Sequence, residues 1–324
     1  MWTINEFNKW DEEGRPINEN VIKLDISNSN IKTLGNLENL VNLEKLYCVD
    51  NQLTSLEGIE SLVNLTHLSC GHNKLTSLGG IENLINLTHL YCYNNQLTLL
   101  EGMENLINLE YLNCNINKLI SLKGMENLVN LIFLSCNNNQ LTSLEGMENL
   151  INLKLLSYNN NQSSLEGIDN LVDLQELYCS YNQLTSLEGI ENLVNLRFLS
   201  CHNNQLTSLE GIENLVDLQK LYCRYNQLTS LEEIENLFNL EDLDCSNNQL
   251  TSLEGIENLV KLIKNNKKIK NNTKYDFIDS DDYIELNDLF ENLIKCDNNK
   301  IDENIENIEK NIKELNGFQK YTLK

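Results

Sequence analysis

Eleven leucines divide most of this sequence into near-identical turns: Leu24, Leu46, Leu68, Leu90, Leu112, Leu134, Leu156, Leu177, Leu199, Leu221 and Leu243. Each step is 22 residues, except for the 21 between Leu156 and Leu177. The unit from Leu196 to Asp217 reads LRFLSCHNNQLTSLEGIENLVD, one instance of a pattern LxxLxCxxNxLxxLxGIxxLxx written eleven times over about residues 22–263. A unit this short cannot bury its own apolar side, so its leucines must stack on those of the next unit. For a chain of 324 residues this leaves one long array rather than two globular domains. Alternation over Leu-x-Cys predicts one short strand per turn with both side chains inward. The rest of the turn has room for a bend and a return, but not for a full helix with its loops.

Each column has a physical reason. The asparagines Asn51, Asn73, Asn95, Asn117, Asn139, Asn161, Asn182, Asn204, Asn226 and Asn248 can bond backbone groups of neighbouring turns, with Ser29 in that place in the first turn. The glycines from Gly58 to Gly255 predict a positive φ in the return loop, and Glu233 interrupts them. In the 21-residue turn Tyr158 takes the usual Cys slot, and Asn161-Gln162-Ser163-Ser164-Leu165 lacks the Leu that follows Gln elsewhere. The expectation is that the Tyr158 ring leans inward and fills the missing volume.

The pattern resembles the leucine-rich repeat family, in particular the 22-residue class of phosphatase-regulatory and internalin-like proteins. The resemblance covers about three quarters of the chain. It implies a leucine-rich repeat solenoid of the α/β horseshoe type, right-handed, with a parallel β-sheet on the concave side and short 3₁₀ or irregular convex segments. The Asn/Ile/Lys-heavy, alanine-free composition is also similar to that of repeat proteins of giant DNA viruses of amoebae.

Nine of the ten cysteines fall in one column: Cys48, Cys70, Cys92, Cys114, Cys136, Cys179, Cys201, Cys223 and Cys245. Their spacing matches no CxxC or Cys/His metal pattern, so they read as buried apolar thiols. Free thiols in this number argue for a reducing interior, the cytoplasm, or the host cell's cytoplasm if the chain is viral. The amino terminus shows no secretory leader, and no apolar run is long enough to span a membrane. The formal charge of −24 disfavours nucleic acid as a partner. It gathers in two return-side columns, one running from Glu38 to Glu257 and one from Glu57 to Glu254, which read as a solvated acidic face.

The sequence divides into an N-terminal helical cap (1–21), the repeat solenoid (22–263), a basic polar linker (264–275) and a C-terminal helical segment (276–324). Thr3-Ile4-Asn5-Glu6 is a capping-box pattern, and Ile4, Phe7 and Trp10 share one helical face. Beyond the linker, Ile301, Ile305, Ile308, Ile312 and Leu315 alternate at steps of four and three, a pattern compatible with a helical hairpin or with self-association of an otherwise monomeric chain.

Strands that face inward at Leu and Cys leave the flanking residues to line the concave surface. These columns vary where the core columns do not. They collect His67, His89, Tyr91, Tyr93, Tyr111, Phe133, Tyr178, Phe198, His202, Tyr222 and Arg224. Aromatic rings with polar tips anchor protein interfaces, so these eleven are the candidate partner-binding residues. No phosphate loop, nucleophile elbow or catalytic triad stands outside the repeating columns, and no cofactor is implied. The expected function is a non-catalytic protein-interaction scaffold. The alternatives are a regulatory subunit of an enzyme such as a phosphatase, or a surface adhesin of internalin type.

Overall fold

The computed structural model describes residues 1–162 and 164–251, Gly255, and the backbone of Ile294–Lys295. The linker at 264–275 and the isoleucine stripe at 301–315 lie outside the described residues. A single parallel sheet runs through the molecule in chain order. Its strands are β1 (Lys23–Asp25), β2 (Lys45–Tyr47), β3 (His67–Ser69), β4 (His89–Tyr91), β5 (Tyr111–Asn113) and β6 (Phe133–Ser135). They continue as β7 (Leu155–Ser157), β8 (Glu176–Tyr178), β9 (Phe198–Ser200), β10 (Lys220–Tyr222), β11 (Asp242–Asp244) and β12 (Ile294–Lys295). From β1 to β11 the register never slips, with Leu24 opposite Leu46 and so on to Leu221 opposite Leu243. The one-residue deletion is absorbed in the return, because Leu156 still faces Leu177.

Three residues are all that each strand needs, since the central Leu is fully buried and its neighbours face out. The inward leucines and the nine thiols form one continuous core from Phe7 to Leu250. Short 3₁₀ turns at Ile190–Asn192 and Ile212–Asn214 occupy the return side, each entered from a glycine in the left-handed region. At Glu233 there is no glycine, and the 3₁₀ turn Glu232–Ile234 is entered instead from Leu231 at φ −132°. The local difference follows from the missing freedom at that position.

Two ladders of asparagine hold the turns together. Inside, the Asn95 Nδ2 donates to the carbonyls of Cys70 and Cys92, both at 3.1 Å, while its Oδ1 accepts the Leu75 N–H at 2.9 Å. On the outer flank, Asn64 Nδ2 donates to the Val41 carbonyl at 2.9 Å, and Asn86 to that of Val63 at 2.8 Å. A third column was not foreseen from the repeat pattern. From Asp50 through Asn247 the residue just before each interior Asn has a φ of 51–56°, including Ile116, Tyr181 and Tyr225. Asn and Asp tolerate this left-handed conformation best, which accounts for the asparagines at 94, 138, 160, 203 and 247.

The acidic column also departs from expectation. Its carboxylates are largely exposed, yet they are tied to the loop: Glu60, Glu82, Glu104, Glu126, Glu148, Glu191 and Glu213 each accept the N–H of the glycine two residues before. A charged acceptor for an otherwise unpaired donor makes this column part of the turn as well as a solvated face.

The first turn is covered by α1 (Ile4–Glu12), which buries Phe7 and Trp10 and has a capping box between Thr3 and Glu6. Trp2 bridges to Leu24 in parallel, and its N–H donates to the Lys23 carbonyl at 2.7 Å. Arg15 crosses to the first return segment and donates to the Asn36 carbonyl at 2.7 Å. In the short turn Tyr158 is fully buried, as its slot requires. Its hydroxyl has no hydrogen-bond partner of regular geometry. Burial first, and the neighbouring Cys179 second, push its pKa well up.

Candidate functional site

The outward positions of the strands, with Tyr93, His202 and Arg224 just past the ends of theirs, form the candidate site, and all eleven singled-out residues lie on it half-buried. The first position of β3 to β6 carries a continuous pile of rings. His67 and His89 lie 4.3 Å apart and 9° from parallel, His89 and Tyr111 4.5 Å apart at 15°, and Tyr111 and Phe133 6.2 Å apart at 28°. Unslipped parallel strands about 4.8 Å apart bring equivalent side chains to stacking distance, so the sheet itself sets this pile.

Next to the pile, Tyr91 stands at the third position of β4 and tilts against His89. Tyr93 lies over Gly71, where a Cβ would meet its ring at 2.6 Å. The absence of a side chain at Gly71 is what gives that ring its seat. His72 packs edge-on against Tyr93 at 5.1 Å and belongs to this cluster, although the strand pattern did not single it out.

The hydrogen bonds assign the tautomers of the two stacked histidines. Thr66 Oγ1 donates to the Glu44 carbonyl and Thr88 Oγ1 to the Thr66 carbonyl, so each hydroxyl's one proton is committed. Each hydroxyl oxygen can then only accept from the adjacent Nδ1, at 2.9 Å in both cases. This leaves two Nε2 acceptors. Desolvation holds both imidazoles below their ordinary pKa, helped at His67 by His89 and Lys45 and at His89 by Lys45 against the pull of Glu110. Stacked nearly parallel, the rings point their nitrogens the same way, which is poor geometry for two ligands of one metal ion. Among the described residues, no group of three or more His, Cys, Asp and Glu could hold one.

A second aromatic cluster lies on β8 to β10. Tyr178 and Phe198 are 4.6 Å apart, and Phe198 meets Tyr222 edge-on at 5.4 Å. The Tyr178 hydroxyl donates to Glu176 at 2.9 Å and the Tyr222 hydroxyl to Asp242 at 2.6 Å. Burial raises the Tyr178 pKa to about 12, and the bond to Asp242 raises that of Tyr222 to about 12. Beside them His202 Nδ1 contacts Ser180 Oγ at 2.8 Å and Ser200 Oγ at 2.9 Å, while Arg224 pairs with Asp244 at 3.8 Å. Burial lowers the His202 pKa, and Arg224 adds to this. Both serines are nearly inaccessible, at 2% and 4%, so this Ser–His contact braces the sheet and does not present a nucleophile.

Between the clusters runs a polar ladder that satisfies itself. Asn115 Oδ1 accepts from Ser135 Oγ at 2.9 Å and the Asn137 N–H at 2.6 Å, and Asn137 Oδ1 repeats this with Ser157 and Asn159. With few hydrogen-bonding demands left, this stretch separates two aromatic patches on one curved face.

The two-copy model of leucine-rich repeats matches windows 19–61, 41–84, 63–105, 172–214, 194–236 and 216–258. Among solved structures, the chain is similar to an internalin, InlF, of Listeria monocytogenes, with 26% identity over 74% of this chain and 78% of that one and a TM-score of 0.61. It is similar to a leucine-rich repeat protein of Leptospira interrogans, with 33% identity, 76% and 71% coverage and a TM-score of 0.63. It also resembles the functional domain of Listeria monocytogenes InlJ, which includes a cysteine ladder, with 32% identity and a TM-score of 0.65; the match covers 73% of this chain and spans 51% of that one. Among functionally curated proteins, none matches the sequence. The repeat windows and the similarity over most of both chains to the Leptospira protein make the same assignment as the unslipped parallel sheet: the chain belongs to the leucine-rich repeat family, whose members generally serve as non-catalytic protein-interaction scaffolds.

Proposed function

We propose that the chain binds a partner protein through the concave face of its sheet, with the two aromatic clusters as separate anchoring points. The observation that carries this is the ring pile His67–His89–Tyr111–Phe133, half-buried on the outward face of the sheet. Rings already stacked lose little freedom on binding, which favours them as anchors. The two Nε2 acceptors suit a donor such as a backbone N–H or a guanidinium. The column of buried cysteine thiols supports a reducing interior as the place of action. Regulation of an enzyme such as a phosphatase is the case in which the partner is itself an enzyme.

A second reading, a surface adhesin of internalin type, draws support from the likeness to InlF and from the cysteine ladder shared with the InlJ domain. Affinity capture with immobilised protein tests the concave site. A retained partner should be lost with H89A/Y111A/F133A and kept with I85Q/I107Q on the outer flank. Equal retention by the concave variant would overturn the proposal.

A further inference from the structure

On the outer flank of ten successive turns, between two buried leucines, stands an exposed apolar residue. The series runs from Val41 through Val63, Ile85, Ile107 and Val129 to Phe238, each 41–52% exposed. The other outward positions of the same segment are polar: Glu82 and Asn83 precede Ile85, and Asn86 follows it, all exposed. Each turn therefore presents an acid, then an apolar side chain (Phe238 in the last), then an amide, replaced by Asp173 and Asp217 in two turns, and stacking makes these three parallel rows. An aliphatic row at this length is not decoration that any soluble surface carries singly. The concave columns have diverged between turns, yet this position stays apolar in all ten.

We infer that this ridge is a second interaction surface, and that it fits a basic amphipathic α-helix of a partner protein lying along the solenoid axis. Four observations lead there. The ridge repeats once per turn at about 4.8 Å, close to the 5.4 Å of a helical turn, so a helix with one apolar residue per turn keeps pace over about five rungs. Much of the ridge backbone is already engaged: the Val41, Val63, Ile85 and Ile107 carbonyls each accept from an asparagine Nδ2 of the next turn, and the Val63 and Val129 N–H groups donate within their own segment. An added strand would find these carbonyls taken, which favours an occupant that satisfies its own backbone, as a helix does. The acid row is held in place by its glycine N–H bonds, which fixes a line of negative charge beside the aliphatic one. A second copy of this chain would set acid against acid, as would an anionic bilayer, whereas lysines or arginines flanking an apolar stripe complement both rows.

The test uses the full chain and a fluorescent helical peptide of about 18 residues, with one Leu per turn flanked by Lys. Anisotropy should show salt-sensitive binding that falls at least tenfold with I85Q/I107Q/V129Q. It should weaken with E82Q/E104Q/E126Q, in which Gln can still accept the glycine N–H. A peptide with the same leucines flanked by Glu should not bind. The concave variant H89A/Y111A/F133A should bind like wild type, which separates this surface from the concave one. Undiminished binding by the ridge variant, equal binding of the Glu-flanked peptide, or loss with the concave variant would each overturn the proposal. So would sedimentation of the chain as a dimer that the ridge variant dissociates, since a second copy would then be the occupant.

Discussion

The imidazoles of His67 and His89 lie face to face at 4.3 Å, each anchored through Nδ1 to the threonine preceding it. A charge on either ring would be partly desolvated and would face the other ring, with Lys45 nearby. Both pKa values are held below the ordinary value of about 6.5. The unfolded chain therefore takes up protons that the folded chain refuses as the pH falls through about 6.5. Stability should be highest above that pH and should decline below it, before the carboxylates near pH 4 begin to protonate. In urea titrations between pH 7.5 and 5.5, H67Q/H89Q should flatten the fall in midpoint, leaving the part due to His202. An unchanged slope would show that the stack carries no such penalty.

Ile116 is a β-branched residue at φ 54° in a column built for asparagine, and it is about half exposed. Left-handed backbone costs such a residue about 1–2 kcal/mol. Ile116→Asn should therefore raise the unfolding free energy by about 1 kcal/mol. Asn138→Ile, the reverse change one turn on, should lower it. A urea series on both variants checks the pair of signs.

The interior asparagine ladder should be far less tolerant. Asn95→Ala leaves the Leu75 N–H without its partner and takes one of two asparagine donors from the Cys70 and Cys92 carbonyls, which keep Asn73 and Asn117. A buried group left unpaired costs about 1–3 kcal/mol, and the weakened carbonyls add to it, so the loss should be about 2–3 kcal/mol. Asn86→Ala, on the solvated outer ladder, should cost under about 1 kcal/mol, and the contrast is readable by thermal melting.

Tyr158 sets volume against polarity at one position. Tyr158→Phe removes a buried hydroxyl that lacks a regular partner and should be neutral or stabilising by up to about 1 kcal/mol. Tyr158→Cys restores the repeat's usual residue but leaves a ring-sized void beside the shortened loop, at a cost of about 2–4 kcal/mol. Should Tyr158→Cys prove harmless, the ring would not be filling the missing volume.

The thiol column should be chemically silent while the chain is folded. Desolvation raises the Cys70, Cys136 and Cys179 pKa values to about 12, and no thiol of the column is exposed. Labelling by a disulfide reagent at pH 8 should follow the rate of unfolding, and added urea should accelerate both together.

Strand position, register and the inward Leu, Cys and Asn columns could be read from the sequence because each obeys the repeat period and one physical demand. The inward turn of Tyr158 followed from counting volume in a single turn. Other features needed coordinates. The pairing of Glu104 with the Gly102 N–H is a two-residue contact hidden inside a column that looks like simple charge. The stacking of His67 on His89 depends on ring orientation, which strand spacing alone does not set. Tyr93 depends on Gly71, a residue in the preceding turn that obeys no column. The row from Val41 to Phe238 was invisible as a surface because a Val between leucines reads as core until its direction is known. Periodicity shows which positions are equivalent, but not which way they face.

The constant register of the sheet has a consequence for how such a molecule can change over time. Every rung from β1 to β11 offers the next an identical docking edge, with Leu opposite Leu throughout. Excising or duplicating any 22-residue stretch would rejoin edges that already match, so length can be edited without redesigning a core. The turn around Tyr158, one residue short, is the place where such recombination would leave a scar. It divides the array into two blocks that can expand independently, one bearing the histidine pile and the other the tyrosine–acid cluster.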